Sequence, residues 1–461
     1  MDTAERSEPV DIVLIRCRIL TDRKTGVTGK YGGQINPPFG VLYIQSYLRK
    51  AGFNAVVMDR YDERYIDLTA AQFIDQVHRL RPRFVGFSAI TSQSPDAEAL
   101  ARRSKQDYPG VPVILGGVHY SSLPSTGAGY ADYVVRGDGE IATLEILRGE
   151  QQPGVVQGKM VSVDDVPFPS VADFRATGYR AERAGNLNLI TARGCPFDCY
   201  FCKDGFRGSA VRHHSVEYVG QMFRSMLEGY PFHNTIFIMD DIFLPTEQRL
   251  HAYIAEFRRL ALKPRLDIFF HPNTVKERLL PLFWELGVRK VSIGIESGSQ
   301  AILDDMGKNT IKAGISDSIR LLRDYGFWVN GLFILGHRGE TPVTLQETLD
   351  YARALPLHSA WFSYMVPFPG TPVWDEGVEQ HGAILDWNMA EWGNVNPVFL
   401  ARDLTLDQLT GAMAEANRIR GEIAGRAENR LPALRMRREQ WWTRMKCRKH
   451  VFFARLRSRA A

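Results

Sequence analysis

Three of the chain's five cysteines fall within eight positions, in Gly194-Cys195-Pro196-Phe197-Asp198-Cys199-Tyr200-Phe201-Cys202, at the spacing C-x3-C-x2-C. Thiolates this close in sequence can all serve one inorganic centre. A tetrahedral structural zinc or a fully protein-ligated [4Fe–4S] cluster takes four protein ligands. The other cysteines, Cys17 and Cys447, are far away in sequence. A cluster held by three thiolates leaves one iron without a protein ligand, so a small molecule can coordinate there. The competing reading is a zinc knuckle completed by His213 or His214, or a structural thiol cluster.

The rest of the chain narrows the class. Its 461 residues imply two or three domains, and 44% apolar with 24% charged residues is ordinary for a globular protein. No uninterrupted apolar run of about 18 residues is present, so no transmembrane helix is expected. The polar start, Met1-Asp2-Thr3-Ala4-Glu5-Arg6, is not followed by a signal-peptide core. Few cysteines, mostly clustered, argue against a disulfide framework and for a reducing, cytoplasmic setting. The net charge of +5 is concentrated in the C-terminal tail and does not point to a nucleic-acid partner.

Residues 1–150 alternate short apolar runs with amphipathic stretches. Val10–Ile15, Phe53–Met58, Arg83–Ser88, Val111–Leu115 and Tyr133–Val135 read as strands. Val41–Lys50, Ala70–Leu80 and Asp96–Asp107 read as helices. This is the pattern of a doubly wound (Rossmann-like) parallel sheet, whose ligands sit at the carboxyl ends of the strands. Those ends carry Ser88 and Thr91, then Gly116, Gly117 and His119, then Gly137 and Glu140. Glycines there let a ligand approach the backbone, although each alone is explained by a turn. No G-x-G-x-x-G follows the first strand, which weighs against a nicotinamide cofactor. Residues 151–185, with Val166-Pro167-Phe168-Pro169, read as a linker laid along a surface.

From residue 186 the alternation resumes. Asn186–Thr191 leads into the cysteine loop, and further strands end at Asp240-Asp241, His271-Pro272-Asn273, Glu296, Gly336 and Tyr364. Strand–helix repetition of this kind suits an incomplete (β/α) barrel with its site at the carboxyl ends of the strands. Residues 386–461 read as a helical C-terminal region. From Arg426 this end is basic, with Trp441-Trp442 and Val451-Phe452-Phe453 interleaved, a composition suited to a membrane surface, an acidic partner or simple packing.

The cysteine loop resembles that of the radical S-adenosylmethionine (SAM) superfamily, and the order Gly-Phe-Ser, Gly-Gly-Val-His, Arg-Gly-Asp-Gly-Glu resembles the cobalamin-binding domain that precedes many of its cores. The resemblance implies that Cys195, Cys199 and Cys202 hold a [4Fe–4S] cluster and that Phe201 lies against adenine. It places Asp240-Asp241 at SAM's amino group, and Glu296, with Ser292 on the same strand, at its ribose or methionine part. It assigns Ser88, Thr91, Gly116, Gly117, Gly137 and Glu140 to the cobalamin edge. Gly336-His337-Arg338-Gly339-Glu340-Thr341 resembles the branch's G-x-P-G-E-T, with Arg338 where proline is usual, and Pro367–Pro372 resembles its P-x-P-G-T-P. The D-x-H-x-x-G of His-ligating cobalamin domains is absent, as in many cobalamin-linked radical SAM proteins.

The chemistry implied is reductive SAM cleavage to a 5′-deoxyadenosyl radical, hydrogen abstraction from carbon, and methyl transfer from methylcobalamin. The expected activity is a C-methyltransferase acting on an unactivated carbon of a small-molecule or lipid-like substrate, fed by flavodoxin or ferredoxin, with peripheral membrane contact through the tail. The alternative is a radical oxidation, cyclisation or rearrangement with an N-terminal domain that is a scaffold or binds cobalamin without methyl transfer. Methylthiotransferases are rejected, because their N-terminal domain needs three cysteines and this one has only Cys17. The expected division is 1–150 cobalamin-binding-like, 151–185 linker, 186–385 radical core and 386–461 C-terminal.

Overall fold

The computed structural model describes residues 9–20, 36–181, 185–202 and 210–429. The loop residues Tyr31–Gln34 and the tail bearing Trp441, Trp442, Cys447, Phe452 and Phe453 lie outside the described residues. The chain forms two compact units. One runs to Arg180 and takes in Asn388–Trp392; the other runs from Ala181 through the rest.

The first unit alternates β1 (Ile12–Arg16), α1 (Phe39–Lys50), β2 (Ala55–Asp59), α2 (Ala70–His78), β3 (Phe84–Ser88) and α3 (Ser94–Asp107). It continues with β4 (Val113–Gly116), α4 (Val118–Ser122), β5 (Tyr133–Arg136), α5 (Gly139–Leu147) and β6 (Gly154–Gln157). The strands form one parallel sheet in the order β2-β1-β3-β4-β5-β6. Helices cover both faces, and this explains the unbroken apolar run of β1. Val13 and Ile15 enter a core with Phe73, Val77 and Leu100, while Ile12 and Leu14 enter the opposite core with Leu42, Leu48 and Ile146. The winding direction changes between β1 and β3, which opens a crevice at the carboxyl edge of the sheet.

Two expectations are corrected here. The first part of the stretch 151–185, read as a linker, contains β6, which pairs with β5. It is an edge strand in which only Val156 is buried, so its hydrophobic signal is weak. The stretch read as a surface linker is packed instead. Val166 and Phe174 are buried, and α6 (Val171–Ala176) starts in a Ser170/Asp173 capping box. The Phe174 ring meets Phe39 edge-on, with centroids 6.0 Å apart.

In the second unit β7 (Leu187–Leu189) precedes a short antiparallel pair, β8 (Ala192–Arg193) with β9 (Arg212–His213), that brackets the cysteine loop. Then follow α7 (Val216–Gly229), β10 (Thr235–Ile238), α8 (Glu247–Arg259), β11 (Arg265–Phe270), α9 (Leu280–Leu286) and β12 (Val288–Glu296). Next come α10 (Gln300–Asp305), α11 (Lys312–Asp324), β13 (Trp328–Leu335), α12 (Pro342–Ala354) and β14 (Ser359–Tyr364). The sheet order β14-β13-β12-β11-β10-β7 follows the chain, with every pair parallel. This is the expected partial barrel.

Burial alternates along these strands, unlike β1. In β13 Val329, Gly331, Phe333 and Leu335 are buried, whereas Trp328, Asn330, Leu332 and Ile334 are half-buried. β10 and β11 alternate likewise. In these three strands one face is fully covered and the other is half-buried, where polar groups are tolerated. There Asn330 Nδ2 donates to Ser292 Oγ at 3.3 Å, and Ser359 Oγ donates to Asn330 Oδ1 at 2.7 Å.

Beyond β14 the chain adds α13 (Pro372–Asp375), the antiparallel pair β15 (Gly382–Ile384) and β16 (Phe399–Ala401), and α14 (Leu406–Gly425). Trp392 and Phe399 are buried packing residues, while Trp387 is 64% exposed. No described helix is long and apolar enough to cross a membrane.

Candidate active site

The cysteine loop is held at its entry by the two acids that follow β10. Asp240 accepts hydrogen bonds from Thr191 N–H (2.6 Å), Ala192 N–H (3.0 Å) and the Thr191 hydroxyl (2.5 Å). Asp241 Oδ2 accepts from Gly194 N–H at 2.9 Å. Gly194 itself has φ +102°, a conformation that favours glycine at the start of the loop. Asp240 is a buried carboxylate with both oxygens engaged, and these contacts tie the loop entry to the segment after β10. Burial pushes its carboxyl up to about 7, against those hydrogen bonds. Further on, Tyr200 N–H donates to Met306 O (2.9 Å) and Cys202 N–H to Cys199 O (3.1 Å).

Cys199 is buried, while Cys195 and Cys202 are partly exposed. Desolvation pushes the Cys199 thiol up, with the nearby Lys308 charge opposing. Among the described residues no three Cys, His, Asp or Glu side chains converge as a single metal ion requires. Three thiols in one loop are the donor set of a cluster with one iron left open. His213 and His214 lie at and just after β9, where His214 N–H donates to Thr191 O at 3.0 Å.

At the end of β12 the register slips between Gly294 and Glu296, and Glu296 takes φ +65°. Such a conformation costs a non-glycine residue of order 1–3 kcal/mol and marks functional sites. The slip aims the carboxylate at Lys308 Nζ, 2.7 Å away, in a pair whose side chains are only 10% and 4% exposed. Gly294 makes room for the pair, since a Cβ there would lie 2.4 Å from Glu296 Oε1 and 2.8 Å from Lys308 Nζ. Lys308 Nζ is also 5.9 Å from the centroid of Phe201 in the cysteine loop. Phe197 of the same loop stacks on His271 at 3.7 Å. Burial, then the Lys308 charge, pushes His271 down to about 3, so its ring is neutral. Thr310 Oγ1 is buried without a partner. The structure thus brings Cys199, Phe201, Glu296 and Lys308 together, and sets Ser292 deeper on β12. Sequence reasoning misses Lys308, whose only mark is a turn in which Gly307 and Asn309 take φ of +61° and +53°.

Glu340 follows β13. Its Oε2 accepts from Gly336 N–H and from His337 N–H at 3.1 Å, while Oε1 is buried without a partner. Burial outweighs those donors and pushes the carboxyl up to about 8. In the unfolded chain the group ionises near pH ~4.3. The folded state therefore favours the protonated acid, and this contribution is lost as pH rises from the unfolded value through about 8. Glu340→Gln keeps the shape without the proton. Its Tm relative to wild type is expected to climb with pH, by up to about 1.4 kcal/mol of stability per pH unit. A gap that does not change with pH would refute the assignment.

In the first unit the predicted edge residues all lie at carboxyl ends. Ser88 ends β3, Thr91 is buried in the following turn, Gly116 ends β4, Gly137 (φ +93°) follows β5, and Glu140 is buried in the first turn of α5. Gly117, at φ +94°, passes so close to Ala89 that a Cβ would lie 2.6 Å from its carbonyl oxygen. Beside Gly116 the space is open, with Val135 Cβ the nearest atom at 4.0 Å. His119 Nδ1 is buried without a partner, and burial pushes this ring down to about 4. A glycine-lined strand edge with open space beside Gly116 fits a large cofactor laid on the backbone.

Comparison with known proteins agrees with this geometry. Residues 25–147 match the B12 binding domain and residues 189–352 the radical SAM superfamily. An uncharacterised methyltransferase from Pyrococcus horikoshii is 27% identical over 407 residues, covering 83% of this chain and 87% of the relative. The anaerobic magnesium-protoporphyrin IX monomethyl ester cyclase of Rubrivivax gelatinosus is 28% identical over 380 residues, covering 74% and 66%. In fold, the chain is similar to the radical SAM methyltransferase TsrM from Kitasatospora setae, whose structure holds cobalamin and a [4Fe–4S] cluster. That match has TM-score 0.65, 17% identity and 89% coverage of both chains. Two family matches in this order, on a doubly wound sheet followed by an open (β/α) sheet with a three-thiol loop, place the chain in the radical SAM superfamily, among the proteins with an N-terminal B12-binding domain.

Proposed function

We propose that this chain is a cobalamin-dependent radical SAM C-methyltransferase acting on an unactivated carbon of a small-molecule or lipid-like substrate. The observation that carries the reading is the cysteine loop at the carboxyl end of an open, polar-lined sheet, beside a buried Glu296–Lys308 pair, in a chain with a separate glycine-edged unit. Bound together, a cluster, SAM and cobalamin supply an electron, hydrogen abstraction from carbon and a methyl group. The protein holds and orients them. Cys195, Cys199 and Cys202 would hold the cluster, Phe201 would lie against adenine, and Lys308 and Glu296 would face the charged methionine end of SAM. Gly116, Gly117 and Gly137, with Ser88, Thr91 and Glu140, would receive cobalamin. A small acidic electron carrier such as flavodoxin or ferredoxin would feed the cluster.

The cyclase among the relatives favours a second reading, radical oxidation or cyclisation. Corrinoid content, followed by the search for a product one methyl group heavier, decides between them. The protein is expressed with hydroxocobalamin and iron, purified without oxygen, and assayed for iron, sulfide and corrinoid per chain. About four irons beside near-stoichiometric corrinoid are expected. A filled cluster with no corrinoid would overturn the methyltransferase reading in favour of the second.

A further inference from the structure

Arg338 stands where the resembling motif has proline, and the structure gives this departure a task. Its Nε donates to Asp305 Oδ2 at 2.9 Å, and its Nη1 pairs with Glu376 and lies 3.3 Å from His381 Nε2. Asp305 ends α10, where a carboxylate opposes the helix dipole and needs cationic partners. His337, fully buried, supplies the other contact, Nε2 to Oδ2 at 2.8 Å. The Arg338 side chain is only 12% exposed. Its guanidinium carbon lies 5.6 Å from the centroid of Tyr200, within cation–π range.

Tyr200 sits between Cys199 and Cys202. Its backbone N–H is tied to Met306 O, the residue after Asp305. Gly307, at φ +61°, lets the ring approach so closely that a Cβ there would lie 3.0 Å from Tyr200 Cδ1. Three contacts therefore converge on one aromatic residue of the cysteine loop. They come from the turn after α10 and from the segment after β13, and they are independent of the Asp241–Gly194 tie at the loop entry.

We propose that Arg338 is a positioning residue: with Asp305 and Gly307 it clamps Tyr200 and so holds the Cys199–Cys202 half of the loop in its cluster-binding shape. Proline at this position could offer neither the charge nor the fork. Lysine could restore the charge to one acid but not the planar double contact or the stack. The clamp rests on reading the loop as a cluster loop, and its test separates the two.

The test uses full-length protein, purified without oxygen and with its cluster reconstituted, as wild type, Arg338→Met and Arg338→Lys. Iron release to a chelator is timed, and the EPR signal of the reduced cluster is recorded. Near-UV circular dichroism and the emission of Trp284, Trp328 and Trp361, which lie in the unit that carries Arg338, report the folding of that unit. Release from Arg338→Met is expected about five- to tenfold faster with an altered EPR line shape, Arg338→Lys falling between and the tryptophan signals staying as in wild type in both. Equal release rates with filled clusters overturn the clamp alone. Loss of the tryptophan signals in parallel with release in both variants also overturns it, because the effect is then on the whole unit. A wild-type protein that takes up no iron overturns the cluster reading itself.

Discussion

Cys199→Ala is expected to remove SAM cleavage while leaving corrinoid binding near the wild-type level. Cys199 is the buried thiol of the three, so its loss both deletes a ligand and leaves a void that water or a neighbouring side chain must fill. Two remaining thiolates hold a cluster poorly. Iron per chain should fall from about four to well below one, and deoxyadenosine formation by at least about a thousandfold. Corrinoid retention is expected because the first unit has its own two cores, one on each face of its sheet. Assaying iron, deoxyadenosine and corrinoid on one preparation checks all three. Unchanged deoxyadenosine formation would sink the cluster assignment, and parallel loss of corrinoid would show that the units do not fold independently.

Lys308→Met is expected to be the most destabilising single change at the site. It leaves the Glu296 carboxylate buried without its partner, 2.7 Å from where the ammonium stood. Breaking a buried pair from one side costs about 3–5 kcal/mol. For a unit of this size that corresponds to a Tm drop of roughly 6–20 °C. The double variant Glu296→Gln/Lys308→Met removes both charges and should recover most of the loss. SAM affinity should not recover in the double variant, because the ammonium proposed to meet the methionine carboxylate is gone. Calorimetry on the single and double variants, with SAM titration of the cluster-loaded protein, checks both halves. A single-variant shift below about 2 °C would mean that the carboxylate finds water instead, and recovered SAM affinity would remove Lys308 from the ligand site.

The cysteine loop, the strand–helix alternation and the glycine-rich strand ends were legible because each is written in consecutive residues. A thiol spacing, a period of two or 3.6 and a run of small residues are local signals. The strands of the two parallel sheets were recovered for the same reason, except β6, whose edge position leaves Val156 as its only buried side chain; the two- and three-residue strands of the antiparallel pairs β8–β9 and β15–β16 are too short to show a period and were not. The packed stretch at Val166–Phe174 was obscured by its prolines, which look like a linker whether or not the apolar residues between them find a core.

What the chain determined by itself is therefore the order of its two units and the identity of three thiols in one loop. The tertiary structure decided what surrounds that loop. Asp240 sits at the end of a strand in either view, but only the fold brings Thr191 and Ala192, 49 and 48 residues away, onto its oxygens and makes it a support for the loop entry. Lys308 becomes part of the site only because a register slip turns Glu296 toward it. Arg338 looks like a lapse from a motif until Asp305 and Tyr200, far apart in sequence, are placed on either side of it. Hydrogen bonds and ion pairs act over a few ångströms, and residues distant in sequence meet at that range only after the chain has packed.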